Sequence, residues 1–212
     1  MTHADWIAKY DRPVPRYTSY PTAPHFNADV GPETTARWLA TLPERTPVGV
    51  YLHVPFYRKL CWYCRCTTKV VNSGNALRRY ADTLCAEIAL AAAHMADRPT
   101  VSHLHWGGGT PNHLPIEQLS RVLSTLRAQS NLAPDMEHAM EIDPRSVDSA
   151  THARQLMDLG LARVSLGVQD FNDTVQHAIN RIQPYELVAC RRPAGSRTIL
   201  PHDQSAETAD CA

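Results

Sequence analysis

"VGVYLHVPFYRKLCWYCRC", Val48 to Cys66, joins an apolar run of strand character to a loop holding three cysteines. The fold follows from how often that join recurs. Three more short apolar runs lie downstream: "VSHLHW" (Val101 to Trp106), "EHAMEID" (Glu137 to Asp143) and "ARVSLGVQ" (Ala162 to Gln169). Between the runs, apolar residues return at helical spacing: Tyr80, Leu84, Ile88, Ala91 and Met95; then Ile116, Leu119, Leu123 and Leu126; then Val147, Ala150, Leu156 and Leu159. Gly160 is a good helix stop. Strand and helix in alternation predict right-handed βαβ units on a parallel sheet, an α/β fold whose four strands form a barrel or part of one.

Each unusual motif follows a strand. The first strand leads into the cysteine loop and the second into "GGGTP" (Gly107 to Pro111); the third ends in "EIDP" (Glu141 to Pro144) and the fourth in "GVQD" (Gly167 to Asp170). In parallel α/β architectures the carboxyl ends of the strands share one face, and ligands bind there. Each motif also has a plainer reading. The glycines serve either close approach to a ligand or a simple βα turn, and they lack the spacing of a dinucleotide fingerprint. Glu141 is placed either to bind a ligand's ammonium or to reach solvent. Gln169 could satisfy loop backbone, Asp143 before Pro144 could be a turn residue, and His53 and His105 read as core or rim histidines.

Composition narrows the function. Of 212 residues, 43% are apolar and 20% charged, enough for an ordinary core. Lys plus Arg and Asp plus Glu number 21 each, without a basic run interleaved with aromatics, so nucleic acid is not an expected partner. The start has no basic-then-apolar signal pattern, and the most apolar helical run, Ile88 to Met95, is far too short to span a membrane. The expected address is cytoplasmic, and there the six cysteines are not expected to form a disulfide framework. Cys85 reads as a small buried apolar residue. Cys61, Cys64 and Cys66 instead bring thiolates close enough to share a metal or an iron–sulfur cluster. Structural zinc ranks last, because the spacing identifies no fourth ligand.

Taken together, "PRYTSYPTA" (Pro15 to Ala23), "YLHVPFYRKLCWYCRC", "LHWGGGTP", "EIDPR" and "SLGVQDFN" resemble the oxygen-independent coproporphyrinogen III oxidases of the radical S-adenosylmethionine superfamily. The likeness runs from near the first residue to about Arg181. It implies a partial (β/α) barrel over 47–183; the Pro-rich and Tyr-rich arm over 1–46 reads as irregular, and the tail over 184–212, with its prolines and no sustained period, as irregular or disordered. The likeness also implies a [4Fe-4S] cluster, S-adenosyl-L-methionine, an electron donor and a monomer. The family's reaction is the oxidative decarboxylation of coproporphyrinogen III to protoporphyrinogen IX.

Residue by residue, the resemblance makes Cys61 and Cys64 cluster ligands and sets Tyr51 beside the cluster. Gly108 and Glu141 match contacts to one S-adenosylmethionine; Tyr63, Gly109, Thr110, Gln169 and Arg181 match contacts to a second. Arg16 and Tyr17 fall in the arm that the family packs near its active site. Two departures stand out. Tyr57 occupies the position of the first cluster cysteine, and a phenol is a poor substitute for a soft thiolate. Arg65 replaces what is usually a glycine. The resemblance stops near Ile182, so the chain reads either as an enzyme, or part of one, in which Cys66 or an outside ligand completes the cluster, or as a shortened, catalytically inactive, binding-only remnant.

Overall fold

The computed structural model describes residues 2–11, 20–43, 45–64 and 69–190. Arg16, Tyr17, Arg65, Cys66 and the tail from 191 lie outside the described residues. The chain divides into two compact units, Met1–Trp38 and Leu39–Ala212.

The segment ahead of the sheet carries two helices that the sequence reading did not mark, α1 (His3–Tyr10) and α2 (Pro32–Ala40). The first begins at a capping box: Thr2 accepts from the Asp5 N–H while the Asp5 carboxylate accepts from the Thr2 N–H.

The sheet holds β1 (Pro47–Val54), β4 (Thr100–Gly108), β5 (Asn131–Ile142) and β6 (Arg163–Leu166), in the order β1-β4-β5-β6. Every pairing is parallel, as predicted. Two short strands, β2 (Phe56–Tyr57) and β3 (Lys69–Val70), pair beside the cysteine loop. The crossovers are α3 (Gly74–Ala93), α4 (Ile116–Gln129) and α5 (Ala150–Asp158), followed by α6 (Asp173–Ala178) and α7 (Tyr185–Cys190). The last of these gives helical form to residues just past Ile182.

Alternation along the strands sorts the side chains. Leu52 and Val54, Leu104 and Trp106, Met140 and Ile142, and Val164 are buried in one cluster with Leu77 and Ala81 of α3, Leu119, Val122, Leu123 and Leu126 of α4 and Leu156 of α5. One polar residue is built into this layer. His138, 2% exposed, accepts the Trp106 indole N–H at Nε2 (2.9 Å), and its Nδ1 lies 3.2 Å from Gly160 O. That arrangement needs a neutral ring donating from Nδ1, and burial lowers the pKa of His138 accordingly. Cys85 is half-buried against the same core and accepts the Thr125 hydroxyl.

Two boundaries differ from expectation. β5 begins at Asn131 rather than Glu137: Thr100 and Val101 pair with Asn131 and Leu132, and His103 then pairs with Glu137. Residues 133–136 are taken up in that shift, where Pro134 sacrifices no ladder bond. At α5, Val147 belongs to the extended exit from the turn Pro144–Ser146, and the helix starts after Ser149, whose side chain accepts from the His152 N–H. Gly160 (φ +87°) ends that helix as expected.

Candidate functional site

The opposite face of the sheet is polar. Parallel pairing sets Tyr51 beside His105, His105 beside Ala139 and Ala139 beside Arg163 in one rung. Tyr51 and His105 stack with ring centroids 5.7 Å apart, and Tyr51 Oη lies 3.3 Å from His53 Nδ1. The same alternation that sends Met140 and Ile142 into the core turns Glu141 outward, where its Oε1 lies 3.4 Å from His105 Nε2.

At the carboxyl end of this face opens a cleft of about 470 Å³, a size suited to a small-molecule ligand. Tyr63, Cys64, Gly109, Glu141, Gln169 and Arg181 line it, together with Tyr57 and Asp143. Tyr51, Gly108, Thr110 and Cys61 are not on its wall. Gly108 has φ +112°, and a Cβ there would fall 2.7 Å from the His53 ring. Gly109 donates its N–H to Val54 O at 2.8 Å, and its Cβ would lie 2.8 Å from Phe56 O. These two glycines let the end of β4 press against the exit of β1. Thr110 is 1% exposed because the chain turns inward there into Pro111–His113.

From the cleft wall inward runs a network that sequence reasoning missed. Asp143 accepts the Arg145 N–H and caps the turn Pro144–Ser146, so it is the turn residue expected. Its carboxylate also pairs with Arg145 at 2.7 Å and with Arg181 at 3.4 Å, and all three side chains are largely buried. Arg145 and Arg181 each direct an N–H at Cys61 Sγ, both at 3.4 Å. Arg181 further donates to Gln183 Oε1 (2.7 Å) and to Gly167 O. Four of its five N–H groups are thereby engaged, which leaves at most one for a ligand. Burial opposes the charge on Arg145, but the Asp143 hydrogen bonds and charge outweigh it and raise the arginine's pKa. Tyr63 is pushed up to about 12, first by burial, with Arg181 pulling the other way; its hydroxyl also bonds Cys61. The one signal in the sequence was "DPR" after a strand. Nothing local linked it to Cys61, 84 positions away from Arg145.

The iron–sulfur cluster implied by the resemblance asks for three thiolates. The described residues offer Cys61 and Cys64, and at the first position the Tyr57 hydroxyl, which accepts the Cys64 thiol at 3.3 Å. Among the described residues no three His, Cys, Asp or Glu side chains are grouped to hold a metal ion. This donor set does not fit a cluster held by three thiolates.

The comparisons with known proteins bear on the whole described sheet. A family model described as the Radical SAM superfamily matches residues 55–190. The oxygen-independent coproporphyrinogen III oxidase of Bradyrhizobium diazoefficiens is 44% identical over 187 residues, 88% of this chain and 41% of the relative. The protein of the same name from Escherichia coli is 42% identical over 190 residues, 87% of this chain and 40% of its own length. A solved structure of coproporphyrinogen III oxidase from Escherichia coli, a radical SAM enzyme, matches with a TM-score of 0.78 at 36% identity. That match covers 91% of this chain and 44% of the other. The chain thus spans about 40% of the length of the curated relatives it matches. No helix among the described residues is long and apolar enough to cross a membrane. The chain belongs to the radical SAM superfamily.

Proposed function

We propose that the cleft binds S-adenosylmethionine, and that the chain supplies this binding part of an oxygen-independent coproporphyrinogen III oxidase. One observation carries the reading: Tyr63, Glu141, Gln169 and Arg181, from four separate segments, meet at a single cleft at the carboxyl end of a parallel sheet. Each side chain suits part of a dipolar adenosyl ligand. The Glu141 carboxylate is half-exposed and can pair with an ammonium or sulfonium group. The remaining Arg181 N–H can reach a carboxylate, the Gln169 amide can take a hydroxyl or ring nitrogen, and Gly109 keeps the wall close. Superfamily membership implies an iron–sulfur cluster, which where bound would supply an electron to the sulfonium. Since the described donors do not fit that group, the residues' proposed work is binding, orienting and excluding water.

The substrate class proposed for the family reaction is coproporphyrinogen III, with an external electron donor. For this chain alone the binding-only reading is favoured, and the Tyr57–Cys64 hydrogen bond is what favours it. Calorimetric titration with S-adenosylmethionine tests the first claim. Saturable binding is expected, weakened about tenfold in Glu141→Gln by loss of a charge-assisted contact. Absence of saturable binding by the folded chain sinks it. Anaerobic reconstitution tests the second: the unaltered chain should take up substoichiometric iron, and Tyr57→Cys should raise iron and sulfide content without producing protoporphyrinogen IX.

A further inference from the structure

With Tyr57 at the first position, the sulfurs of the loop that the structure describes are a Cys-x2-Cys pair. The Cys64 N–H donates to Cys61 O at 3.1 Å. That bond closes a four-residue turn and holds the two Cα atoms within about 7 Å. Disulfides span Cα separations of roughly 4.4–6.8 Å, a range that this turn overlaps; closing a bridge turns Cys64 Sγ away from the Tyr57 hydroxyl. Both residues stand as thiols in the structure.

Their surroundings are unequal. Cys64 is half-buried on the cleft wall, within reach of a small molecule that enters there. Cys61 is 6% exposed, and the Arg145 and Arg181 guanidinium groups each place an N–H 3.4 Å from its sulfur. Those donors face a sulfur that carries negative charge before it attacks and regains it when it departs. Cys64, whose thiol donates to the Tyr57 hydroxyl, lines the cleft, and Cys61 is the more deeply buried of the two.

We infer that Cys61 and Cys64 form a reversible redox pair, which a low-molecular-weight disulfide entering the cleft oxidises to an intramolecular disulfide. The Cys64 thiolate attacks one sulfur of the reagent, RSSR; the S–S bond breaks and one RS⁻ leaves with its electron pair. The Cys61 thiolate then attacks Cys64 Sγ, the mixed disulfide breaks, and a second RS⁻ leaves. The two protons from the cysteines go to the two leaving thiolates. Two protein thiols plus RSSR thus become one protein disulfide plus two RSH, with two electrons passing to the reagent. The inference is independent of S-adenosylmethionine binding and needs no metal.

Trypsin makes the test direct. Cleavage after Lys59 and Arg65 releases Leu60 to Arg65, which contains both cysteines and leaves Cys66 on the next peptide. The full chain, stripped of metal with chelator and reductant and desalted anaerobically, is equilibrated with oxidised glutathione, quenched in acid, alkylated and digested. The expected result is a Leu60–Arg65 peptide lighter by two hydrogens and closed to alkylation, which dithiothreitol returns to the doubly alkylated form. In Cys61→Ser, glutathione should remain attached at Cys64. In Cys64→Ser, Cys61 should stay unmodified over the same time. Three outcomes would overturn the inference: full alkylation of the native peptide at equilibrium, a bridge from Cys66 to either residue, or glutathione held on Cys64 of the native chain without closure. The native digest decides the matter even if a variant fails to fold.

Discussion

The two faces of the four-stranded sheet are built from the same strands yet obey opposite rules. On one, Leu52, Val54, Leu104, Trp106, Met140, Ile142 and Val164 are buried with α3, α4 and α5, and the single polar intruder, His138, has both ring nitrogens engaged. On the other, Tyr51, His53, His105 and Glu141 are linked by long hydrogen bonds and ring stacking, and Tyr51 remains 56% exposed. The covered face concentrates buried apolar groups; the open face concentrates exposed polar ones. Burial and exposure are therefore separated by residue parity along each strand.

The sharpest way to break this division is Trp106→Ala. Removing a ring that is 1% exposed, and with it the donor to His138, should cost about 3–5 kcal/mol in denaturant-monitored unfolding. A loss below about 1 kcal/mol would mean that the covered face is not the core. Next comes Asp143→Asn, at the junction of the two faces. It leaves two largely buried arginines without their carboxylate, for an expected loss of about 3 kcal/mol. Unlike Trp106→Ala, it should also disturb the cleft, visible as weaker S-adenosylmethionine binding under conditions where the variant is still folded.

A pH titration of stability sharpens the comparison further. Burial lowers the pKa of His138 from its ordinary 6.5, so on acidification the unfolded chain takes the proton first. The contribution is complete above about pH 6.5 and is lost as pH falls toward the lower folded value. His138→Gln should flatten the acid side of the stability curve relative to the native chain; an unchanged slope would show that the histidine does not titrate with folding. The smallest effect belongs to the open face. The exposed Arg163–Glu137 pair should yield only about 0–1 kcal/mol on Glu137→Gln.

Much of the covered face was legible because burial writes a period into the sequence: the strand and helix runs came from apolar spacing, and Gly160 from its backbone freedom. The gathering of Glu141, Gln169 and the glycine turn at one end followed from parallel topology. The Asp143–Arg145–Arg181–Cys61 network was not legible, because its members come together only when β5, the cysteine loop and the segment after α6 meet in space. Val147 was misassigned to α5 for a related reason. A buried residue in an extended turn carries the same apolar signature as a helix position. Likewise, Asn131 to Met136 gave no strand signal, since polar residues and Pro134 are tolerated where the register slips.

The strand order has a consequence for how the molecule is made. Within the four-stranded sheet each strand lies beside the one that precedes it in the chain, from β1 through β6, with no strand inserted between two that are already paired. Growth is by addition at one margin. During synthesis a βα segment leaving the ribosome meets a finished margin and has no need to wait for a partner encoded later. The margin itself, a row of unpaired backbone groups, moves outward with each addition. At every stage the nascent protein offers one fresh place for the next strand to dock.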